Sequence, residues 1–166
     1  MIRIAHVAPG FPADGICTRE VCRLASGVAL PQTVLTAGAT QGRSTHAGLD
    51  VLTLCDDNPS ANPLAAIPGG LWAALAGFDV VHVHEALSGF GAYAAVVVKS
   101  LGKKLVLTDH GGGGHTLMTT GRGLALADVV LATSEHRRAL LAAAVSGPHV
   151  VAEGDGLRDL YLRLAG

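Results

Sequence analysis

Aromatic residues are almost missing from this chain: one Trp, two Tyr and three Phe, 4% of 166 residues. That excludes a core of large rings, although 49% of the residues are hydrophobic. Val, Leu and Ala must therefore fill the interior in thin, closely packed layers, with 22 glycines among them. Charge is also scarce. Asp, Glu, Lys and Arg make up 15% and the net charge is −1; no basic stripe forms, so a nucleic-acid partner is not expected. No apolar run approaches the roughly 18 residues of a membrane span. The opening Met1-Ile2-Arg3-Ile4 lacks a basic region followed by a long apolar one, so no secretory signal is expected. Cys17, Cys22 and Cys55 are odd in number and none are paired as C-x-x-C, which suggests reduced thiols in a cytoplasmic protein. G-x-G-x-x-G, a P-loop and a nucleophile elbow are all absent, as are internal repeats. The length fits one domain over residues 1–166.

What is present centres on Leu105-Val106-Leu107-Thr108-Asp109-His110-Gly111-Gly112-Gly113-Gly114-His115. A β-branched apolar run stops at an acid and a histidine, and four glycines follow. Other short apolar runs at 2–8, 33–36, 49–55, 78–84, 129–133 and 149–152 read as strands. Val21, Leu24, Ala25 and Val28 recur at helical spacing behind Thr18 as a candidate cap. Segments 64–77, 92–101, 115–127, 135–145 and 157–164 also read as helical, with Pro68-Gly69-Gly70 interrupting or delaying the first and Gly102 past the end of the second. Residues 37–48 are polar and glycine-rich and read as a loop. Strands alternating with helices predict an α/β fold: a Rossmann-like parallel sheet with helices on both faces, in three layers α/β/α. Right-handed crossovers place every strand's carboxyl end on one edge. Four loops should meet there: 9–17, 85–91, 109–115 and 134–137.

The candidate site residues lie in those loops. Pro9 to Gly15 leads into a helix N-terminus, which favours an anion such as a diphosphate, or is an ordinary βα turn. His110 either bonds a sugar hydroxyl and developing charge or satisfies loop carbonyls. Asp109 beside it orients the histidine or the loop. His82 and His84 share a strand face, but no third and fourth metal ligands are apparent, so no metal is expected. Arg137 at a helix start opposes the helix dipole and either reaches a phosphate or is solvated.

Four stretches carry a resemblance: Ile2-Arg3-Ile4-Ala5-His6-Val7 with Pro9 and Gly15; Phe78-Asp79-Val80-Val81-His82-Val83-His84; Leu107-Thr108-Asp109-His110-Gly111; and Ala127-Asp128-Val129-Val130-Leu131-Ala132-Thr133-Ser134-Glu135. In this order they resemble the N-terminal domain of the retaining GT-B glycosyltransferases of family four. The resemblance implies sugar transfer from a nucleotide-sugar to an acceptor molecule without a cofactor. It implies His110 beside the transferred sugar and Gly15 near the donor diphosphate; Gly10 and Arg137 are the further candidates for phosphate contact. His84, Glu85, Asp109 and Gly111 would then line the acceptor side. The chain departs from the family at Leu30-Pro31-Gln32-Thr33-Val34 and at Glu153-Gly154-Asp155-Gly156. No glutamate stands eight positions after Glu20, Glu85, Glu135 or Glu153, so the E-x7-E motif of the family's donor-binding domain is missing. The expectation is a half-cleft that works with a donor-domain partner or a second copy of itself. The alternative is a non-catalytic scaffolding module whose exposed apolar patch would comprise Phe11, Ile16, Leu87, Phe90 and Leu117.

Overall fold

The computed structural model describes residues 1–57, 62–110, 124–134, 138–139, 149–152 and 156–166. Among them, eight strands form one sheet: β1 (Ile4–Val7), β2 (Gln32–Gly38), β3 (Gly42–His46), β4 (Leu49–Cys55), β5 (Val80–His84), β6 (Lys104–Thr108), β7 (Val129–Ala132) and β8 (His149–Ala152). Their order is β3-β4-β2-β1-β5-β6-β7-β8. Every neighbouring pair is parallel except β3–β4. The helices are α1 (Ile16–Ser26), α2 (Leu71–Leu75), α3 (Gly89–Ser100) and α4 (Leu157–Ala165). The expected Rossmann-like α/β fold is the one observed.

Strand alternation sorts the side chains onto two faces. Ala5, Val7, Val81, Val83, Leu105 and Leu107 pack with Leu71, Leu75, Phe90, Ala94 and Val98 from α2 and α3. On the opposite face Ile4, Val80, Val106 and Val129 meet Tyr161, with Leu157, Leu160 and Leu164 of α4 around it. Val21 of α1 covers Val34 and Val51. His6 pairs in register with Val34 on one side and His82 on the other, so it lies on the α1/α4 face. The scarcity of rings is met by small side chains in both layers, as the composition demands.

The two Asp-Val-Val stretches share one device at the amino edge. Asp79 Oδ2 accepts a hydrogen bond from Arg3 N–H at 2.8 Å, and Asp128 Oδ2 accepts one from Leu105 N–H at 2.8 Å. Each acid stands one residue before its strand and accepts from an N–H at the start of the strand beside it: Leu105, the second residue of β6, or Arg3, just before β1. Asp128 also takes Lys99 Nζ at 2.9 Å. Both acids are thereby placed on the edge opposite the candidate site.

Two expectations are corrected. Residues 42–46 form a strand, not a loop: β3 folds back on β4 through Ala47 and Gly48, whose φ angles of 49° and 81° suit a two-residue hairpin. Its residues are polar and largely exposed, the pattern of a protected edge strand. The helix expected over 64–77 is interrupted at Pro68-Gly69-Gly70 as expected, leaving a 3-10 turn at Pro63–Ala65 and the short α2. Thr18 does not cap α1; the cap position is Gly15, and Thr18 Oγ1 donates to Ala13 O at 2.7 Å. Most of the helices expected at 115–127 and 135–145 lies outside the described residues. Gly102, with φ 67°, follows α3 as expected.

Phe90 is fully buried between α3 and the sheet. Phe90→Ala should cost about 3–5 kcal/mol, read as a lower urea midpoint with an unchanged slope. A loss below about 1 kcal/mol would contradict this packing.

Candidate functional site

The winding of the sheet reverses between β1 and β5. Chain from β1 leads outward through β2 and β4, and chain from β5 leads outward through β6 to β8. In open α/β sheets such a reversal leaves a crevice at the carboxyl ends of the two central strands, where ligands bind. A cleft of about 240 Å³ opens at that place, lined by Pro9, Gly10, Gly15, Cys17, Leu64 and Glu85 among others. Gly10 turns there with φ 72°, a conformation that suits glycine. Gly15 opens α1 and offers no side chain to cap its first N–H groups. Those groups and the helix dipole leave a positive pole on the cleft.

Glu85 is the cleft's strained residue. It follows β5 directly, it is 3% exposed, and its φ is 51°, left-handed backbone that a non-glycine residue rarely adopts. Its neighbours enforce the turn. Ala86 N–H donates to Thr108 O at 3.1 Å and Ser88 N–H to Glu85 O at 2.9 Å. Ser88 Oγ caps α3 by accepting from Gly91 N–H at 2.9 Å. A Cβ on Gly91 would stand 2.5 Å from Glu85 O, so only glycine lets α3 press against this turn. Backbone strain of this kind clusters at ligand sites, which makes Glu85 a candidate site residue. Cys17 across the cleft is no nucleophile: burial, then the Glu85 carboxylate, pushes its thiol up to about 12.

Behind the cleft stand four imidazoles. His6 Nδ1 lies 3.0 Å from His84 Nε2, and His84 Nδ1 lies 2.9 Å from His110 Nε2. The deep end is Gln32, whose Oε1 is 2.9 Å from His6 Nε2. Beside this line His82 bonds Tyr161 Oη and Thr108 Oγ1, each at 2.6 Å, and its ring stacks on His84 with centroids 4.1 Å apart. Burial holds all three inner rings neutral. It lowers His6 to about 4, against the Gln32 bond that raises it, and it drives His82 and His84 well down, with neighbouring imidazoles adding to the effect. His6 supplies the third histidine that the sequence left unseen: ring nitrogens of His6, His82 and His84 lie within 4.8 Å of one another. All six of their nitrogens already have protein partners, so a metal ion would have to displace those bonds.

Of the expected site residues, Gly10, Gly15 and Glu85 meet in the cleft. His84 is fully enclosed and its Nδ1 faces His110, so it does not line a pocket itself. Asp109 is buried at the end of β6. Arg137 and Gly111 lie outside the described residues. The apolar patch of the scaffolding alternative is not there: Phe11, Leu87 and Phe90 are buried, and Ile16 alone of the described members is exposed. Leu117 lies outside the described residues. Sequence reasoning missed Gln32 and Tyr161, whose partners are 26 and 79 residues away.

Residues 33–152 match the model of Glycosyltransferase Family 4. The chain belongs to that family, and with it to the enzymes of glycosyl transfer. A sucrose-phosphate synthase chain from Thermosynechococcus elongatus superposes with a TM-score of 0.59 at 16% identity, over 97% of this chain and 94% of that one; at that identity the likeness is one of fold. A putative 2-keto-3-deoxygluconate kinase from Enterococcus faecalis aligns over 98% of this chain and 66% of that one, with a TM-score of 0.47 at 13% identity. No curated protein matches the sequence.

The neutral imidazoles set the pH dependence of stability. In the unfolded chain they titrate near 6.5, and in the folded chain they titrate lower. Stability should therefore be full above pH 6.5 and fall as the pH drops through it. His6 contributes roughly 3 kcal/mol of this loss by about pH 4. Urea midpoints measured at pH 7.5, 6 and 5 should decline in that order, and a constant midpoint would contradict the buried, uncharged rings.

Proposed function

We propose that this chain is the acceptor-side lobe of a retaining glycosyltransferase that moves a sugar from a nucleotide-sugar to an acceptor. The observation that supports it best is the cleft at the winding reversal, where a glycine turn, an uncapped helix start and a strained buried glutamate converge. The two glycines and the open N–H groups of α1 suit a diphosphate. Glu85, with Asp109 and Gly111 on the neighbouring loop, suits the hydroxyls of an acceptor. His110, at the end of β6, stands where the transferred sugar would face this lobe, and Arg137 would approach the phosphates. No metal or cofactor enters this reading.

In the GT-B arrangement a second Rossmann-like lobe closes over this edge and supplies most donor contacts. We assign that part to a donor-binding domain absent from residues 1–166: another segment, a partner chain, or a second copy. The low charge and lack of a basic stripe fit small-molecule substrates rather than nucleic acid. No helix among the described residues is long and apolar enough to cross a membrane, and three free cysteines fit a cytoplasmic setting.

The test is sugar transfer from UDP-glucose and GDP-mannose by the chain with its donor-binding lobe. His110→Ala should lower kcat/KM by about tenfold to a hundredfold, as expected for one hydrogen bond lost from the transition state. Unchanged kcat/KM would overturn the role given to His110.

A further inference from the structure

The line from Gln32 to His110 has a direction, and its deep end sets it. Gln32 Nε2 lies 2.8 Å from Val28 O and 3.0 Å from Ala25 O. Both carbonyls can only accept, so the amide nitrogen faces them and cannot be exchanged with the oxygen. Oε1 is therefore fixed as the atom toward His6, and His6 Nε2 at 2.9 Å must donate to it. A neutral imidazole carries one proton. His6 Nδ1 is then bare, and His84 Nε2 at 3.0 Å must donate to it. His84 Nδ1 is bare in turn, and His110 Nε2 at 2.9 Å must donate to that.

We infer that Gln32, His6 and His84 are positioning residues, a one-way hydrogen-bond relay that fixes the ring of His110 through a proton on its Nε2. On the reading that His110 faces the transferred sugar, on which the use of this relay rests, the relay sets the orientation in which the ring does so.

The relay is insulated from its surroundings. His6 and His84 are fully buried. The His84 and His110 ring planes lie 12° apart, nearly coplanar across their shared bond. His82, bonded at both nitrogens on its own branch, stacks its ring on that of His84. Running the line backwards would set a bare His6 Nε2 against the Gln32 oxygen, two lone pairs in a buried site. That mismatch should disfavour the reversed set by at least about tenfold.

Long-range proton–nitrogen spectra of the uniformly 15N-labelled chain at pH 7.5 test this without turnover. His6, His84 and His110 should each show the Nε2–H tautomer, at least about tenfold over the other. His110 protonated on Nδ1, or an even mixture, would overturn the relay. In Gln32→Met, which removes the anchor, His84 and His110 should become mixed tautomers while circular dichroism stays native. Unchanged tautomers in that folded variant would also overturn it; should the variant fail to fold, the wild-type spectrum decides. The two readings fail separately. The expected spectrum beside full activity of His110→Ala sinks the sugar-facing role alone, and the wrong tautomer beside a crippled His110→Ala sinks the relay alone.

Discussion

A neutral imidazole inside a β-sheet must have both nitrogens met, one by an acceptor and one by a donor, or the sheet bears the cost of a buried polar atom. This chain places three such rings on one face of its two central strands, and their mutual satisfaction governs much else. It requires β1 and β5 in register, so that His6 and His82 stand side by side. It requires β2 to bring Gln32 beside His6. It requires Tyr161 of α4 to reach down from its own face of the sheet to His82. The terminal helix is thereby tied to the centre of the molecule by a bond as well as by apolar packing. A protein with so few rings uses its buried tyrosine and its histidines as one assembly.

The two edges of the sheet divide their labour by chemistry. At the amino edge, Asp79 and Asp128 occupy backbone N–H groups and fix neighbouring strands. At the carboxyl edge Glu85 sits in a left-handed turn that Ser88, Gly91 and Thr108 enforce, and α1 begins at a glycine that leaves its first turn uncapped by a side chain. The strand-fixing acids stand at one edge and the candidate site at the other, the edge where ligands bind in open α/β sheets.

The sheet was legible because its strands are short apolar runs between glycines and prolines, and because Leu157, Leu160, Tyr161 and Leu164 repeat at helical spacing. The strand β3 was not, since Gly42 to His46 carries no apolar alternation; it pairs through its backbone at an exposed edge, where side chains give no pattern. The site was legible in part. Glu85 directly follows a strand, and Gly10 and Gly15 lie in the loop that joins a strand to a helix, places readable from local sequence. The imidazole line was not, because His6 and His84 are 78 residues apart and only strand order brings them together. The left-handed turn at Glu85 was likewise hidden: nothing in Glu85-Ala86-Leu87-Ser88 signals it, and tertiary contacts impose it.

The central claim is that the carboxyl edge around β1, β5 and β6 is where the substrate binds. Backbone amide spectra of the labelled chain, titrated with UDP-glucose and GDP-mannose to millimolar concentration, test it most directly. Shifts gathered at Gly10, Gly15, Glu85 and His110, with Asp79 and Asp128 unmoved, are the predicted result. Shifts gathered at the amino edge, or none at either edge, would contradict it.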